Sequence, residues 1–434
     1  MVWSWESVFG GLSGRCAGSR KTGGWYNLLA FLVVRFQSTS MLAFAAARLL
    51  TPDRVVERPV MLVDDGRIVE IAALADRQLP TVGTHIHLGD GVIAPGYFDL
   101  HIHGSAGYDV MDERSEALPA IERMLARRGV TSYFPTTVTA PLDVTLSTLE
   151  RLAGAIEARE KRALGDADCV GRAAPLGIHL EGPFLSHARR GVHPSESLLP
   201  PKMATFERFW QAARGHVRMM TIAPELDGAV ELIQVAAARG VCVSLGHSDA
   251  DFAAAERAIA AGARHATHVF NAMRPLDPRE PGILGAVLSD ARVSADIIAD
   301  GIHLEPAIVK LVAQAKGPEK TVLITDATAA AGMPDGKYRL GPIEVDVNDG
   351  KCTHEGRLAG SVLTMDRAVR NLADFAGWSL AQAVSAASRN PARVAGFEHK
   401  GQLTAGADAD FAVLSQRGEL LRTFVSGVEC SGSA

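Results

Sequence analysis

Few cysteines are present, and none pair closely. Cys16, Cys169, Cys242, Cys352 and Cys430 are scattered over 434 residues with no C-x-x-C spacing. That distribution argues against a disulfide framework and suits a reducing compartment, so a cytoplasmic location is expected. A basic excess is missing too: 44 Lys and Arg face 49 Asp and Glu, a formal net charge of -5. The electrostatic footprint of a nucleic-acid binder is absent, and substrate recognition has to be local. The apolar run LLAFLVV (28–34), preceded by Arg15, Arg20 and Lys21, superficially resembles the core of a secretory signal. It is too short to span a bilayer, no A-x-A-like site follows it, and Arg35 closes it. Met41 opens a segment that reads as the start of a folded domain. Residues 1–40 are expected to be an extension, disordered or non-native, and no membrane partner is expected.

No low-complexity linker divides the remainder. From 41 to 93 the chain reads as short strands, with Asp64, Asp65 and Gly66 as a hairpin signal inside RPVMLVDDGRIVEIA. From residue 94 the rhythm changes. SEALPAIERMLARRG is helical, VTSYFPTTV strand-like, and DVTLSTLERLAGAIEARE helical again, with Leu149, Leu152 and Ile156 three and four apart. PLGIHLEG, VRMMTIAP, VCVSLGHS, HATHVF, VSADIIADG and TVLITDAT continue the strands, with segments such as AVELIQVAAARG between most of them. Repeated strand and helix means a parallel sheet. After 395, GQLTAGADADFAVLS and LLRTFVSGVE return to strand-like pieces. The expected fold is α/β: a (β/α)8 TIM-like barrel over 94–395, beside a small β-sandwich domain built from 41–93 and 396–434.

Reactive side chains of such barrels sit at the C-terminal ends of strands. His101 and His103 follow YFDL, Glu181 ends GIHLE, His247 ends VSLGH, His268 lies in HATHVF and Asp326 ends VLITD. Four histidines and two carboxylates at such positions match the ligands of a divalent metal used for hydrolysis. A lone strand histidine is more often a packed or surface residue, and THIHLGD (84–90) shows the danger. His85 and His87 repeat the H-x-H pattern, but they precede the barrel and lack an Asp two residues ahead; they are expected to be structural. His265 and His268 differ by three, so on a regular strand they face opposite ways, and His268 is the one expected in the barrel interior. His179 shares a face with Glu181 at a deeper position, which suits packing.

The runs HLEGPFLS (179–186), LGHSDA (245–250), ATHVFNAM (266–273), REPG (279–282), IADGIH (298–303), ITDATAAAG (324–332) and RLAGSVLTM (357–365) resemble those of the N-acetylglucosamine-6-phosphate deacetylase family, within the amidohydrolase superfamily. The matches run in order, and the tail GADADFAVL is typical of the superfamily. The resemblance implies that Glu181, His247 and His268 form a metal triad and that Asp326 is the catalytic carboxylate. His101 and His103 are retained as in two-metal members, and LEGPF offers no lysine to bridge, so Glu181 is the expected bridge. One or two divalent ions per chain are implied, zinc or iron first. Asp326 would act as general base and then as general acid during hydrolysis of the acetamide to glucosamine 6-phosphate and acetate.

The same resemblance assigns His193 to the sugar or the acetyl carbonyl, and Asn271, the Ala272 backbone, Arg279 and His303 to the sugar and its 6-phosphate. Arg279 would come from a neighbouring subunit, since the family implies a homodimer. Two other readings stand beside this one. A dihydroorotase-like or aminoacylase-like enzyme would use the scaffold on a different amide, and a non-catalytic relative would have lost its ligands. LEGPF, THVFNAM and REPG speak against the first, and intact Glu181, His247, His268 and Asp326 against the second.

Overall fold

The computed structural model describes residues 41–76, 83–162 and 169–430; the expectation for residues 1–40 lies outside them. Eight parallel strands form the central ring: β1 (Tyr97–Ile102), β2 (Val130–Thr137), β3 (Ile178–Glu181), β4 (Val217–Ile222), β5 (Cys242–Leu245), β6 (His265–Ala266), β7 (Ser294–Ile297) and β8 (Thr321–Leu323). Each pairs in parallel with the next, from β1 with β2 through to β7 with β8. Their sequences read as continuous apolar runs such as VRMMTI because both faces of a barrel strand are covered. The covering helices are α1 (Ala117–Arg127), α2 (Leu142–Glu160), α3 (Met203–Ala212), α4 (Ala229–Ala238), α5 (Phe252–Ala261), α6 (Gly282–Ser289), α7 (Pro306–Lys320) and α8 (Met365–Ala376). In α2, Leu149, Leu152 and Ile156 form the buried stripe that their spacing requires.

The ring closes differently between β8 and β1. Regular pairing gives way to three backbone bonds, from Asp326 N–H to the His101 carbonyl (2.9 Å) and from the N–H groups of His103 and Gly104 to the Ala327 carbonyl (2.8 and 3.0 Å). Below them the Asp99 carboxylate accepts from the Thr325 hydroxyl (2.5 Å) and from the backbone N–H groups of Thr325 and His101 (both 3.3 Å). A buried side chain thus does part of the work of a ladder, at the place where two strands deliver candidate site residues.

Strands from both chain ends share one six-stranded sheet, in which Val92–Pro95 pairs with Phe411–Leu414. Arg67–Ala73, Pro59–Asp64, Leu42–Ala45 and Thr84–His87 make a four-stranded sheet in that order. Asp65 and Gly66 turn its hairpin at φ 47° and 71°. Phe44 from this sheet meets Phe411 and Phe424 from the other edge-on, with centroids 4.9 and 5.3 Å apart. Burying one such ring contributes about 1.5–3 kcal/mol. A third sheet was not anticipated. Gly336–Leu340, Ile343–Asn348, Lys351–His354 and Arg357–Leu358 form an antiparallel insertion between β8 and α8. No helix among the described residues is long and apolar enough to cross a membrane.

Candidate active site

The C-terminal ends of β1, β3, β5, β6 and β8 converge on one buried point. Glu181, at the tip of β3, is its centre. Its Oε1 lies 3.1 Å from His247 Nε2 and 2.9 Å from His268 Nε2. Its Oε2 lies 3.3 Å from His101 Nε2 and 3.2 Å from His103 Nε2. Asp326 Oδ1 completes the second group, 3.5 and 3.2 Å from the same two nitrogens. All six side chains are buried. The six expected ligands are therefore brought together, with one glutamate oxygen facing each group of imidazoles.

Local backbone geometry explains how short strands aim these groups. His247, His268 and Asp326 lie two or three residues past the ends of β5, β6 and β8, in the left-handed region at φ 48°, 30° and 50°. A turn there swings the side chain inward over the barrel mouth. Two glycines keep the neighbourhood open. A Cβ on Gly182 (φ 85°) would stand 2.2 Å from Thr139 Oγ1, and one on Gly246 would press on Thr221 and Thr267 at 2.9 Å. These are the glycines of LEGPF and LGHS.

The imidazoles are not equivalent. His103 and His247 direct Nδ1 at the carbonyl oxygens of Thr136 and Arg189, both at 3.0 Å. A carbonyl can only accept, so Nδ1 carries the proton and Nε2 presents its lone pair to the centre. His193 is the reverse. The backbone N–H of Thr139 donates to its Nδ1 (3.3 Å), so its proton sits on Nε2, 3.5 Å from Glu181 Oε2. His193 thus points a donor, not a lone pair, into the site.

The electrostatics test whether a cation fits. Nε2 atoms of His101 and His103 stand 3.1 Å apart, as do those of His247 and His268. Two lone pairs at that distance repel unless a proton or a cation lies between them. For the chain alone, burial opposes ionisation of Glu181, but His101, His103 and His193 hold its carboxyl well below the usual range. Burial likewise opposes ionisation of Asp326, yet His101 and His103 draw its pKa down to about 2. Around Glu181 Oε1, burial pushes His247 down to about 4, whereas for His268 burial is outweighed by the bond to Glu181 together with the charges of Glu181, Asp326 and Asp296, and its pKa rises to about 9. One proton is retained where two nitrogens and an anionic oxygen meet. Replacing it by a divalent ion with nitrogen and oxygen ligands satisfies all three, so the donor set fits a metal.

Around this centre lies a cavity of about 190 Å³, whose lining includes His193, Asn271, Ala272, His303, Leu340 and Leu358. His303 is fixed by Asp300, whose Oδ2 lies 2.7 Å from its Nδ1. Arg279 is elsewhere: it lines a separate exposed cleft with Arg189 and Arg274. His85 and His87 sit on the edge strand of the four-stranded sheet, exposed. His265 points its Nε2 at Asp296 Oδ2 (2.9 Å), and the other oxygen of Asp296 accepts the His268 backbone N–H. His179 lies beneath the site, its ring centroid 4.7 Å from that of His101 and its Nε2 on Thr221. Sequence reasoning missed Thr139, Asp296, Leu340 and Leu358. Asp99 was noticed only as a feature that separates the two H-x-H pairs.

The chain belongs to the amidohydrolase family, whose model matches residues 92–430. Its relatives within that family are more specific. N-acetylglucosamine-6-phosphate deacetylase of Bacillus subtilis (strain 168) is 36% identical over 382 residues, covering 87% of this chain and 94% of that protein. N-acetylgalactosamine-6-phosphate deacetylase of Escherichia coli O157:H7 is 36% identical over 384 residues, covering 88% and 97%. Among solved structures, a mutant N-acetyl-D-glucosamine-6-phosphate deacetylase from Mycobacterium smegmatis, in complex with N-acetyl-D-glucosamine-6-phosphate, superposes with a TM-score of 0.83 at 34% identity, covering 91% of this chain and 100% of that one.

Proposed function

We propose that this protein hydrolyses the acetamide of N-acetylglucosamine 6-phosphate, releasing acetate and glucosamine 6-phosphate. The observation that carries the reading is the convergence of four histidine nitrogens and two carboxylates in a chain whose relatives are deacetylases. Glu181, His247 and His268 would hold one divalent ion, and Glu181, His101, His103 and Asp326 a second, with Glu181 shared. When bound, such ions lower the pKa of water and polarise a carbonyl oxygen.

The chain's own groups supply the rest. Asp326 is ionised at neutral pH, so its carboxylate would accept the proton of the attacking water and return it to the departing nitrogen. His193 Nε2–H would donate to the acetyl oxygen and stabilise the charge that develops there; its hold on Thr139 fixes that donor before substrate arrives. Leu340 and Leu358 give one wall an apolar surface. Asn271, the Ala272 backbone and His303 would position the sugar and its 6-phosphate. Arg279 is exposed and outside its own chain's cavity, which supports its serving a neighbouring subunit of a homodimer. Arginine suits that task because its planar fork donates two parallel bonds to phosphate. Unpaired Cys169, Cys242, Cys352 and Cys430 and a phosphorylated sugar substrate support a cytoplasmic location.

The test is release of acetate from N-acetylglucosamine 6-phosphate by the full chain, before and after chelation, with metal added back. Turnover lost on chelation and restored by zinc or iron(II) is expected. Turnover that survives complete metal removal would overturn the reading.

A further inference from the structure

A second cavity, of about 280 Å³, lies between α1 and α2 on the outer wall of the barrel. Five arginines line it, Arg114, Arg151, Arg159, Arg162 and Arg172, against the two carboxylates Glu113 and Glu122. The helix α2 contributes Arg151, Ala155, Ala158 and Arg159 on one face, with Arg162 just past its end, and the small alanine side chains leave the space open.

Part of the positive charge is answered within the chain. Arg172 binds Glu122 (2.7 Å) and Arg114 binds Asp112 (3.0 Å). Arg159 and Arg151 are held by carbonyls instead. Arg159 donates to the Cys169 and Arg172 carbonyls at 2.9 and 3.5 Å, and Arg151 to that of Val110 at 3.1 Å. A carbonyl positions a guanidinium without neutralising it, and most of its five N–H donors remain available. Burial lowers the pKa of Arg151 against the pull of Asp112, Glu113 and Asp109. Asp112 is committed to Arg114, and Asp109 accepts the backbone N–H groups of Met111 and Gly341. Among the described residues Arg151 thus forms no ion pair, although Glu113 lines the same cleft and acts on it at longer range.

A chain of hydrogen bonds links the cleft to the candidate active site. Val110, whose carbonyl Arg151 holds, donates its N–H to the His103 carbonyl at 2.7 Å. We propose that this cleft binds a small phosphorylated metabolite at a site separate from the substrate cavity, and that its occupancy is transmitted through Arg151 and Val110 to His103. Forked guanidinium donors select phosphate over simple anions. The volume lies at the small end of ligand sites, which run from roughly 300 Å³ upward, and suits a phosphate head with a compact body.

The test titrates the metal-loaded full chain with inorganic phosphate, with chloride holding ionic strength constant. Calorimetry reads binding and does not depend on the proposed reaction; kcat for acetate release, at saturating N-acetylglucosamine 6-phosphate, does depend on it. Phosphate competing in the substrate cavity would raise KM alone. Arg151→Gln and, at the exposed rim, Arg162→Gln should each weaken a phosphate-binding event about tenfold. Phosphate should change kcat at least about twofold in the native protein and leave it unchanged in Arg151→Gln. Binding that neither substitution affects, or that chloride reproduces, overturns the site. Intact binding with an unresponsive kcat overturns the transmission.

Discussion

Two H-x-H pairs in this chain have opposite surroundings. His101 and His103 leave β1 at the barrel mouth, buried, with oxygens of Glu181 and Asp326 within 3.5 Å of their Nε2 atoms. His85 and His87 lie on an exposed edge strand paired in parallel with Leu42–Ala45. In both, an extended backbone puts the two rings on one side. The difference is company. Other strands carry carboxylates to the first pair, Thr136 orients the His103 ring, and burial removes the water that would otherwise screen them. A repeat of two histidines could hold a metal only where distant parts of the chain deliver anions to a dry place.

Substitutions can break that contrast in descending order of severity. Glu181 faces both groups of imidazoles, so Glu181→Gln should remove bound metal in elemental analysis and reduce acetate release to background. Full metal content in this variant would dissolve the distinction between the two pairs. Asp326→Asn should keep its metal while kcat falls by about 10²–10⁴, the range of a lost general base. His193→Ala should also keep its metal and lose about 10²–10³ in kcat, since it donates a hydrogen bond and does not offer a lone pair. A fall in metal content would make His193 a ligand instead.

Smaller effects probe what supports the first pair. Asp99→Asn weakens the closure between β8 and β1 and should cost about 1–3 kcal/mol, read as a lower midpoint in denaturant. This penalty depends on pH. Burial raises Asp99 to about 6 despite its bonds to Thr325 and His101, so the folded state binds its proton more tightly than the unfolded one. Its contribution therefore falls as pH rises from about 4 to about 6, and the stability gap between native protein and variant should narrow across that window. A gap that widens would reverse the sign of the argument. Last, His85→Ala and His87→Ala should leave metal content and kcat unchanged and stability within about 0.5 kcal/mol.

The alternation of strands and helices made the barrel legible, because each run carries its own periodicity. The positions of Glu181, His247, His268 and Asp326 were legible for the same reason: strand ends point to one mouth. Less visible was anything that needed a neighbour distant in sequence. Thr139 fixes the proton of His193 from 54 residues away, and Asp99 meets Thr325 across 226. No local pattern encodes either. On a regular strand His265 and His268 would face opposite ways, whereas β6 ends at Ala266 and His268 turns inward with φ 30°. The inserted sheet between β8 and α8 did leave a trace. IEVDVN alternates in burial, and Asp349-Gly350 at its end is a turn signal that reading by motif alone passed over.

The left-handed residues at the barrel mouth carry a further consequence. His247, His268 and Asp326 each hold a backbone conformation that costs an L-residue roughly 1 kcal/mol or more and costs glycine almost nothing. Glycine at any of them would relax the main chain while deleting the chemistry. Selection for heat resistance alone would drive this protein toward a sturdier, inert barrel, and only a cell's demand for the product keeps those three turns under tension.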